Sequence, residues 1–408
     1  VRILFVIPYV PNLIRVRPYN LLVHLAARGH ELTLVTLYSS EKEQADLDRL
    51  RKVCSAVYAF PLTRWRSLYN SLAALPQSVP LQSVYCWQPN MAEFLRTLLD
   101  GKAAFDVIHI EHLRGAKYGL DLKKVRGRGG RPLPPMVWDS VDCISMLFKQ
   151  AAGQSKKRVN RWITRFDLAR TSQYEGWLVN QFDRVLVTSS NDRNALMKLA
   201  PANTSADQVR VLPNGVDLDY FRPPNGQVVK DPATLVISGK MSYHANVTMS
   251  LNFVNETLPI IWSRRPDVKL MLVGKDPTPE LVGLGKNPAI QVTGTVDDIR
   301  PYLHKATLAV TPITYGAGIQ NKVLEAMACG LPVVSSPQAV SALAVNPGQD
   351  LIVANNPEEF ASAVVTLLDD PGLRARLGQA GRRYVEQDHL WVNIAAQLEE
   401  VYGEIIHA

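Results

Sequence analysis

The feature that most constrains this chain is a rhythm: apolar runs of strand length alternate with stretches of helical spacing, and the pattern occurs twice. Arg2–Ile7, Glu31–Leu37, Val107–Ile110, Pro135–Trp138 and Arg184–Thr188 read as buried strands, with a helix over Tyr19–Arg28. Buried strands separated by helix-length segments require a parallel sheet covered on both faces. The rhythm breaks at Leu212-Pro213-Asn214-Gly215 and Phe221-Arg222-Pro223-Pro224-Asn225-Gly226, where Pro and Asn-Gly mark turns. It then resumes with strands at Thr234–Ser238, Lys269–Val273, Ile290–Thr293, Leu308–Thr311 and Pro332–Ser335, and helices at Thr248–Ser263, Ile299–His304 and Asn321–Ala328. The prediction is an α/β chain of two doubly wound, Rossmann-like domains, 1–212 and 213–387. The full 408 residues suffice for two such cores.

Several function classes are excluded early. No apolar run approaches the ~20 residues that span a bilayer, and the first strand is too short for a signal-peptide core, so a cytoplasmic location is expected. Cys54, Cys86, Cys143 and Cys329 are scattered and read as buried hydrophobes rather than disulfide or zinc partners. His109-Ile110-Glu111-His112 lacks the spacing that sets two metal ligands on one helical face, so no metal is expected. No Gly-x-Gly-x-x-Gly follows the first strand, which argues against a dinucleotide-dependent dehydrogenase. Without a reading helix, nucleic acid is not an expected partner.

Net charge is +8, and from Lys123 to Arg170 twelve Lys and Arg face three Asp. Such a field attracts phosphates. Within Lys156–Arg170, Val159, Trp162, Ile163 and Phe166 recur at helical spacing opposite Arg158, Arg161 and Arg165. A basic amphipathic helix of this kind lies either on an anionic membrane surface, making the chain peripheral on its inner face, or on the sheet.

In open parallel sheets ligands sit beyond the carboxyl ends of the strands. The densest chemistry at such a position runs from Thr311 through Gly316-Ala317-Gly318-Ile319-Gln320-Asn321-Lys322-Val323-Leu324-Glu325 to Val334. It reads as strand, glycine loop, helix, glycine stop, strand. Gly316 and Gly318 let backbone approach a ligand, and the helix start offers N–H groups to a phosphate. Lys322 and Glu325, three apart, share a helix face. The ammonium suits a diphosphate and the carboxylate suits ribose hydroxyls.

That string resembles the donor-site signature of family-four retaining glycosyltransferases of the GT-B fold, especially the sugar transferases of bacterial exopolysaccharide clusters. Also similar are Val211-Leu212-Pro213-Asn214-Gly215-Val216-Asp217, the loop Gly239-Lys240-Met241-Ser242-Tyr243-His244-Ala245-Asn246, Val273-Gly274 and Gly294-Thr295-Val296-Asp297-Asp298. The resemblance implies two domains facing across a cleft, with a last helix, about 388–408, crossing back to the first. It implies transfer of a sugar from a UDP-, GDP- or ADP-type donor to a glycan or lipid-linked hydroxyl, with retention and without metal or cofactor. Donor contacts are expected from Gly239, Lys240, Asn246, Gly274, Val296, Gly316, Gly318, Ile319, Gln320, Lys322 and Glu325. The family often carries a Glu where this chain has Ala317 and a catalytic His where it has Asp139. A nucleotide-sugar epimerase of the same fold and a non-catalytic nucleotide or polyanion binder remain as alternatives.

On the amino-terminal side, Asp139 and Asp142 follow the Pro135–Trp138 run and are candidates for a base or acceptor ligand, or else for a helix cap. Arg15 and Arg17 precede the first helix, where guanidinium groups suit phosphate or carboxylate. Glu111 and His112 stand just beyond Val107–Ile110. Trp65, Tyr69, Tyr85 and Trp87 are candidate stacking platforms or core residues.

Overall fold

The computed structural model describes residues 1–101, 104–124, 132–154, 158–224, 226, 231–315 and 318–407, with no side chains described at 151–154 and 158–166. It divides into two compact units, Val1–Asn214 with Trp391–Ala408, and Gly215–Leu390.

In the first unit the strands are β1 (Arg2–Ile7), β2 (Glu31–Tyr38), β3 (Ala56–Pro61), β4 (Val107–Glu111), β5 (Met136–Val141), β6 (Arg184–Val187) and β7 (Val209–Val211). They form a parallel sheet in the order β3-β2-β1-β4-β5-β6-β7. β1 is buried from Ile3 to Ile7 because both its faces meet helices. One face packs on helices Val16–Ala27 and Trp391–Ile406, with Phe5, Leu21, Leu25, Trp391, Ile394, Leu398 and Tyr402 in one core. The other packs Leu4, Val6, Ile108, Ile110 and Trp138 against Leu113, Tyr118 and Phe182.

In the second unit β8 (Thr234–Ser238), β9 (Lys269–Val273), β10 (Ile290–Val292), β11 (Leu308–Thr311), β12 (Val333–Ser335) and β13 (Ile352–Val353) pair in parallel in the order β10-β9-β8-β11-β12-β13. Its core joins Val236, Val273 and Val333 to Val323, Leu324 and Met327 of helix Asn321–Ala328. Both sheets therefore wind outward from their first strand in both directions. Each has a reversal point, between β1 and β4 and between β8 and β11, where the flanking loops diverge and leave a crevice.

Two elements differ from the sequence reading. The helix expected over Thr248–Ser263 starts earlier, at His244, and carries a π-helical turn over Phe253–Thr257. β5 runs through Val141 rather than stopping at Trp138, with an irregularity between Asp139 and Val141. Val141 has a φ of 68°, a strained value for a β-branched residue.

Candidate functional site

At the β8/β11 reversal, the loop leaving β8 opens with Gly239 and the loop leaving β9 with Gly274. Both have positive φ, 141° and 152°. A Cβ on Gly274 would stand 1.7 Å from the Gly239 carbonyl oxygen, so the two backbones touch where no side chain fits. A Cβ on Gly239 would lie 2.9 Å from Asn246 Nδ2 and 3.4 Å from Lys322 Nζ. The glycine thus lets the asparagine and the lysine pack directly against the backbone.

Asn246 lies in the helix His244–Asn252 and is buried. Its Nδ2 donates to the Lys240 carbonyl at 2.9 Å, and its Oδ1 accepts from Lys322 Nζ. Lys322 stands in the first turn of Asn321–Ala328, a helix that the Gln320 side chain does not cap. Ile319 before the cap and Leu324 within the helix share one core cluster, a staple that fixes the helix entry. Desolvation pulls the Lys322 ammonium down to about 8, against the Glu325 charge, which acts to raise it. Desolvation likewise pushes the Glu325 carboxyl up to about 7, with Lys322 opposing. Among the described residues, the Glu325 carboxylate makes no hydrogen bond or ion pair.

The structure therefore brings Gly239, Gly274, Asn246 and Lys322 together, with Glu325 nearly one turn along the same helix. Lys240 contributes its carbonyl, and its side chain is exposed. Gly318 has a φ of 65°, beside the core-anchored Ile319. Val296 packs half-buried on the core after β10. Gly316 and Ala317 lie outside the described residues. Sequence reasoning passed over a further pair here. His244 Nδ1 and Tyr315 Oη are 2.7 Å apart, with the rings stacked at 5.4 Å and 13°. They tie the loop after β8 to the loop after β11. The available signal was position, since each follows one of the two strands that flank the reversal.

At the β1/β4 reversal, Tyr9 Oη donates to Glu111 Oε1 at 2.6 Å. The Arg15 guanidinium covers the Tyr9 ring at 4.7 Å, and the His112 ring meets it edge-on at 6.4 Å. Arg15, Glu111 and His112 are thus gathered around Tyr9. Arg15 is also paired with Glu43 at 3.2 Å and donates to the Val10 carbonyl. Glu111 is buried, and its Oε2 has no hydrogen-bond partner among the described residues. Desolvation, reinforced by the Asp139 charge, pushes its carboxyl up to about 8. His112 has a φ of 64°, and desolvation with the Arg114 charge lowers its imidazole to about 3.

Arg17 and Asp139 require a correction: neither reaches a surface where it could meet an acceptor. β5 continues past Trp138, which places Asp139 inside the sheet with no exposed surface. Arg17 Nε bonds Asp139 Oδ2 at 2.8 Å, while Nη1 donates to the Leu212 and Pro213 carbonyls and to Asn214 Oδ1. Burial acts to raise the Asp139 carboxyl, but Arg17 and His109 outweigh it and hold it below the usual range. His109 in turn reaches Tyr402 Oη of the last helix at 2.8 Å. Asp139 caps no helix. Asp142 is half-buried and accepts from Thr188 Oγ1 at 3.3 Å; burial and the nearby Asp192 raise its carboxyl.

Among the aromatic candidates, Trp65 is 80% exposed and Tyr69 63%, whereas Trp87 packs on Tyr118 and Lys117. Most of Lys156–Arg170 lies outside the described side chains. At its end Asp167 is buried and accepts the Leu81 N–H, and Arg170 donates to the Leu75 carbonyl. Among the described residues no helix is long and apolar enough to cross a membrane, and no His, Cys, Asp and Glu group is arranged to hold a metal.

Comparison with known proteins accords with this architecture. The chain is 27% identical over 324 residues to the MMP alpha-(1->4)-mannosyltransferase of Mycolicibacterium hassiacum, covering 76% of this chain and 73% of that one. It is 25% identical to a glycogen synthase of Mycobacterium tuberculosis, covering 64% and 63%. Sucrose-phosphate synthase from Thermosynechococcus elongatus superposes with a TM-score of 0.73 at 19% identity, over the whole of both chains. Anabaena HepE in complex with UDP superposes with a TM-score of 0.65 at 15% identity, covering 99% of this chain and 100% of that one. These structural likenesses establish the fold as GT-B. The family model for glycosyl transferases group 1 matches residues 232–370, and that for Glycosyltransferase Family 4 matches residues 15–220, more than half of the chain. The chain belongs to glycosyltransferase family 4.

Proposed function

We propose that this glycosyltransferase moves a sugar from a UDP-, GDP- or ADP-linked donor to a hydroxyl of a glycan or lipid-linked saccharide, with retention at the anomeric carbon. The setting is polysaccharide or glycoconjugate synthesis of the exopolysaccharide kind, with no metal or cofactor. One observation carries this reading. Lys322 Nζ is held by Asn246 Oδ1 against the bare backbone of Gly239, at the reversal point of the second sheet.

As the bond from the sugar C1 to the phosphate oxygen breaks, negative charge grows on the departing diphosphate. The acceptor oxygen bonds to C1 and passes its proton to the departing phosphate oxygen. The Lys322 ammonium and the first turn of Asn321–Ala328 are fixed in place before the charge appears, which is how a preorganised site lowers such a barrier. Glu325, whose carboxylate makes no hydrogen bond among the described residues, is assigned to the ribose hydroxyls. Acceptor recognition is assigned to the first unit, where Arg15 and His112 keep some exposure beside Tyr9.

The test is a thermal-shift screen with UDP, GDP and ADP. A nucleotide that binds only the folded form raises the melting temperature by mass action. One of the three is expected to do so in the wild type and to lose that effect in Lys322→Ala. No shift with any nucleotide would remove the donor-site assignment.

A further inference from the structure

The helix Arg64–Ala74 is built inside out. Its buried residues are Ser67, Asn70 and Ala74, while Trp65, Leu68, Tyr69 and Leu72 point outward at 80%, 48%, 63% and 56% exposure. These four follow the i, i+3, i+4, i+7 spacing of a single helical face. Leu75, just past the helix, extends the stripe at 43% exposure. The inward side is held by polar bonds: Asn70 Nδ2 donates to the Trp87 carbonyl at 2.8 Å, and Thr63 Oγ1 caps the first turn. The orientation is therefore pinned. A contiguous outward apolar stripe of this size marks an interaction surface.

Charge and composition indicate what covers it. From Arg49 to Ala92 the sequence has no Asp or Glu, while the helix itself opens with Arg64 and Arg66. Arg64 and Arg66 flank Trp65, and Arg66 lies over the Tyr69 ring at 5.9 Å. Trp and Tyr with neighbouring Arg suit the boundary of a bilayer, where rings settle at headgroup depth and guanidinium groups meet lipid phosphates. At 11 residues, roughly 16 Å, the helix lies along such a surface and is too short to cross it. A second copy of the chain is a poor occupant, because it would bring the same basic run against itself.

We propose that this face rests in the interfacial layer of an anionic lipid bilayer and holds the enzyme at the membrane. The face adjoins the end of the basic Lys156–Arg170 stretch, where Arg170 donates to the Leu75 carbonyl. It does not rest on the sugar-transfer reading, which is tested by nucleotide binding to the second unit.

The experiment is co-sedimentation of the full chain with vesicles of phosphatidylcholine alone, and of phosphatidylcholine and phosphatidylglycerol in equal parts. The wild type is expected to pellet with the mixed vesicles and to be released as salt rises. Trp65→Ser with Leu72→Ser should keep the wild-type melting temperature and lose vesicle affinity by roughly ten-fold or more. Arg64→Gln with Arg66→Gln should weaken binding to the mixed vesicles while leaving the nucleotide-induced thermal shift intact. The proposal is overturned if the wild type stays in the supernatant with both vesicles, or if the Trp65/Leu72 variant pellets as well as the wild type. Light scattering that finds a dimer dissolved by that variant, with vesicle binding unchanged, would instead make the face a contact between copies.

Discussion

The two sheets share a strand order outward from their first strand, yet their reversal points are furnished in opposite ways. At β1/β4 most polar groups bond one another, with Glu111 Oε2, Arg17 Nη2 and His109 Nε2 left without a hydrogen bond among the described residues. Arg17 bridges Asp139 to the carbonyls of Leu212 and Pro213, His109 reaches Tyr402, and Tyr9 caps Glu111. That network ties the sheet to the residues leaving the first unit and to the last helix, which returns to it. At β8/β11 the backbone is stripped to glycine, Lys322 has one neutral partner, and Glu325 has none among the described residues. The first arrangement uses charge to hold the protein together; the second leaves charge available for a ligand. Topology positions a crevice, and the side chains decide whether the crevice is structural or chemical.

The sharpest way to break this contrast is to remove Arg17. Arg17→Met leaves the Asp139 carboxylate buried without its partner, a change that costs about 3–5 kcal/mol. Urea denaturation should show that loss, and Arg17→Met with Asp139→Leu should recover much of it by removing the orphaned charge. If Arg17→Met is as stable as the wild type and instead loses only turnover, the first reversal is a reaction site after all.

Lys322→Ala should show the reverse pattern. Removing one preorganised cationic donor is expected to lower turnover on the order of 10²–10³-fold, about 2.7–4 kcal/mol of barrier. Melting temperature without nucleotide should hold or rise slightly, because a desolvated ammonium with one neutral partner contributes little to the fold. Near-full turnover in this variant would erase the distinction between the two crevices.

How far the sequence could foresee this follows from separation along the chain. Helix Asn321–Ala328, with its Lys322 and Glu325, was legible because its glycines, polar start and apolar face are local. The last helix, Trp391–Ile406, was foreseen through the family resemblance, as a helix at about 388–408. Asp139 was misplaced because apolar patterning ends a strand at the first carboxylate. Arg17, far away in sequence, and His109 on the neighbouring strand explain how a charge sits inside the sheet. The Asn246–Lys322 contact joins two expected donor residues 76 positions apart, which no local pattern pairs with each other. β13, at two residues, is too short to leave a pattern. Helix Arg64–Ala74 has good apolar spacing, but periodicity alone does not say that the apolar face points outward.

A finer test uses pH, where the key groups of the two crevices respond with opposite sign. Glu111, pushed up to about 8 from 4.5, lowers stability as pH rises through that window, because the buried carboxyl must ionise. Lys322, pulled down to about 8 from 10.5, acts the other way between those values: the unfolded chain holds the extra proton there, so this group favours the fold as pH rises. Its ligand affinity runs counter to its stability effect, since the ammonium that attracts a diphosphate exists only below its own pKa. Binding of the nucleoside diphosphate, measured by calorimetry, should therefore weaken as pH climbs past about 8. The expected slope is about tenfold per pH unit, or about 1.4 kcal/mol. Lys322→Arg keeps the cation at every accessible pH and should flatten the profile. A wild-type affinity that stays constant to pH 10 would mean that the diphosphate is held by the helix start and the glycine backbones alone, with Lys322 serving only to pack against Asn246.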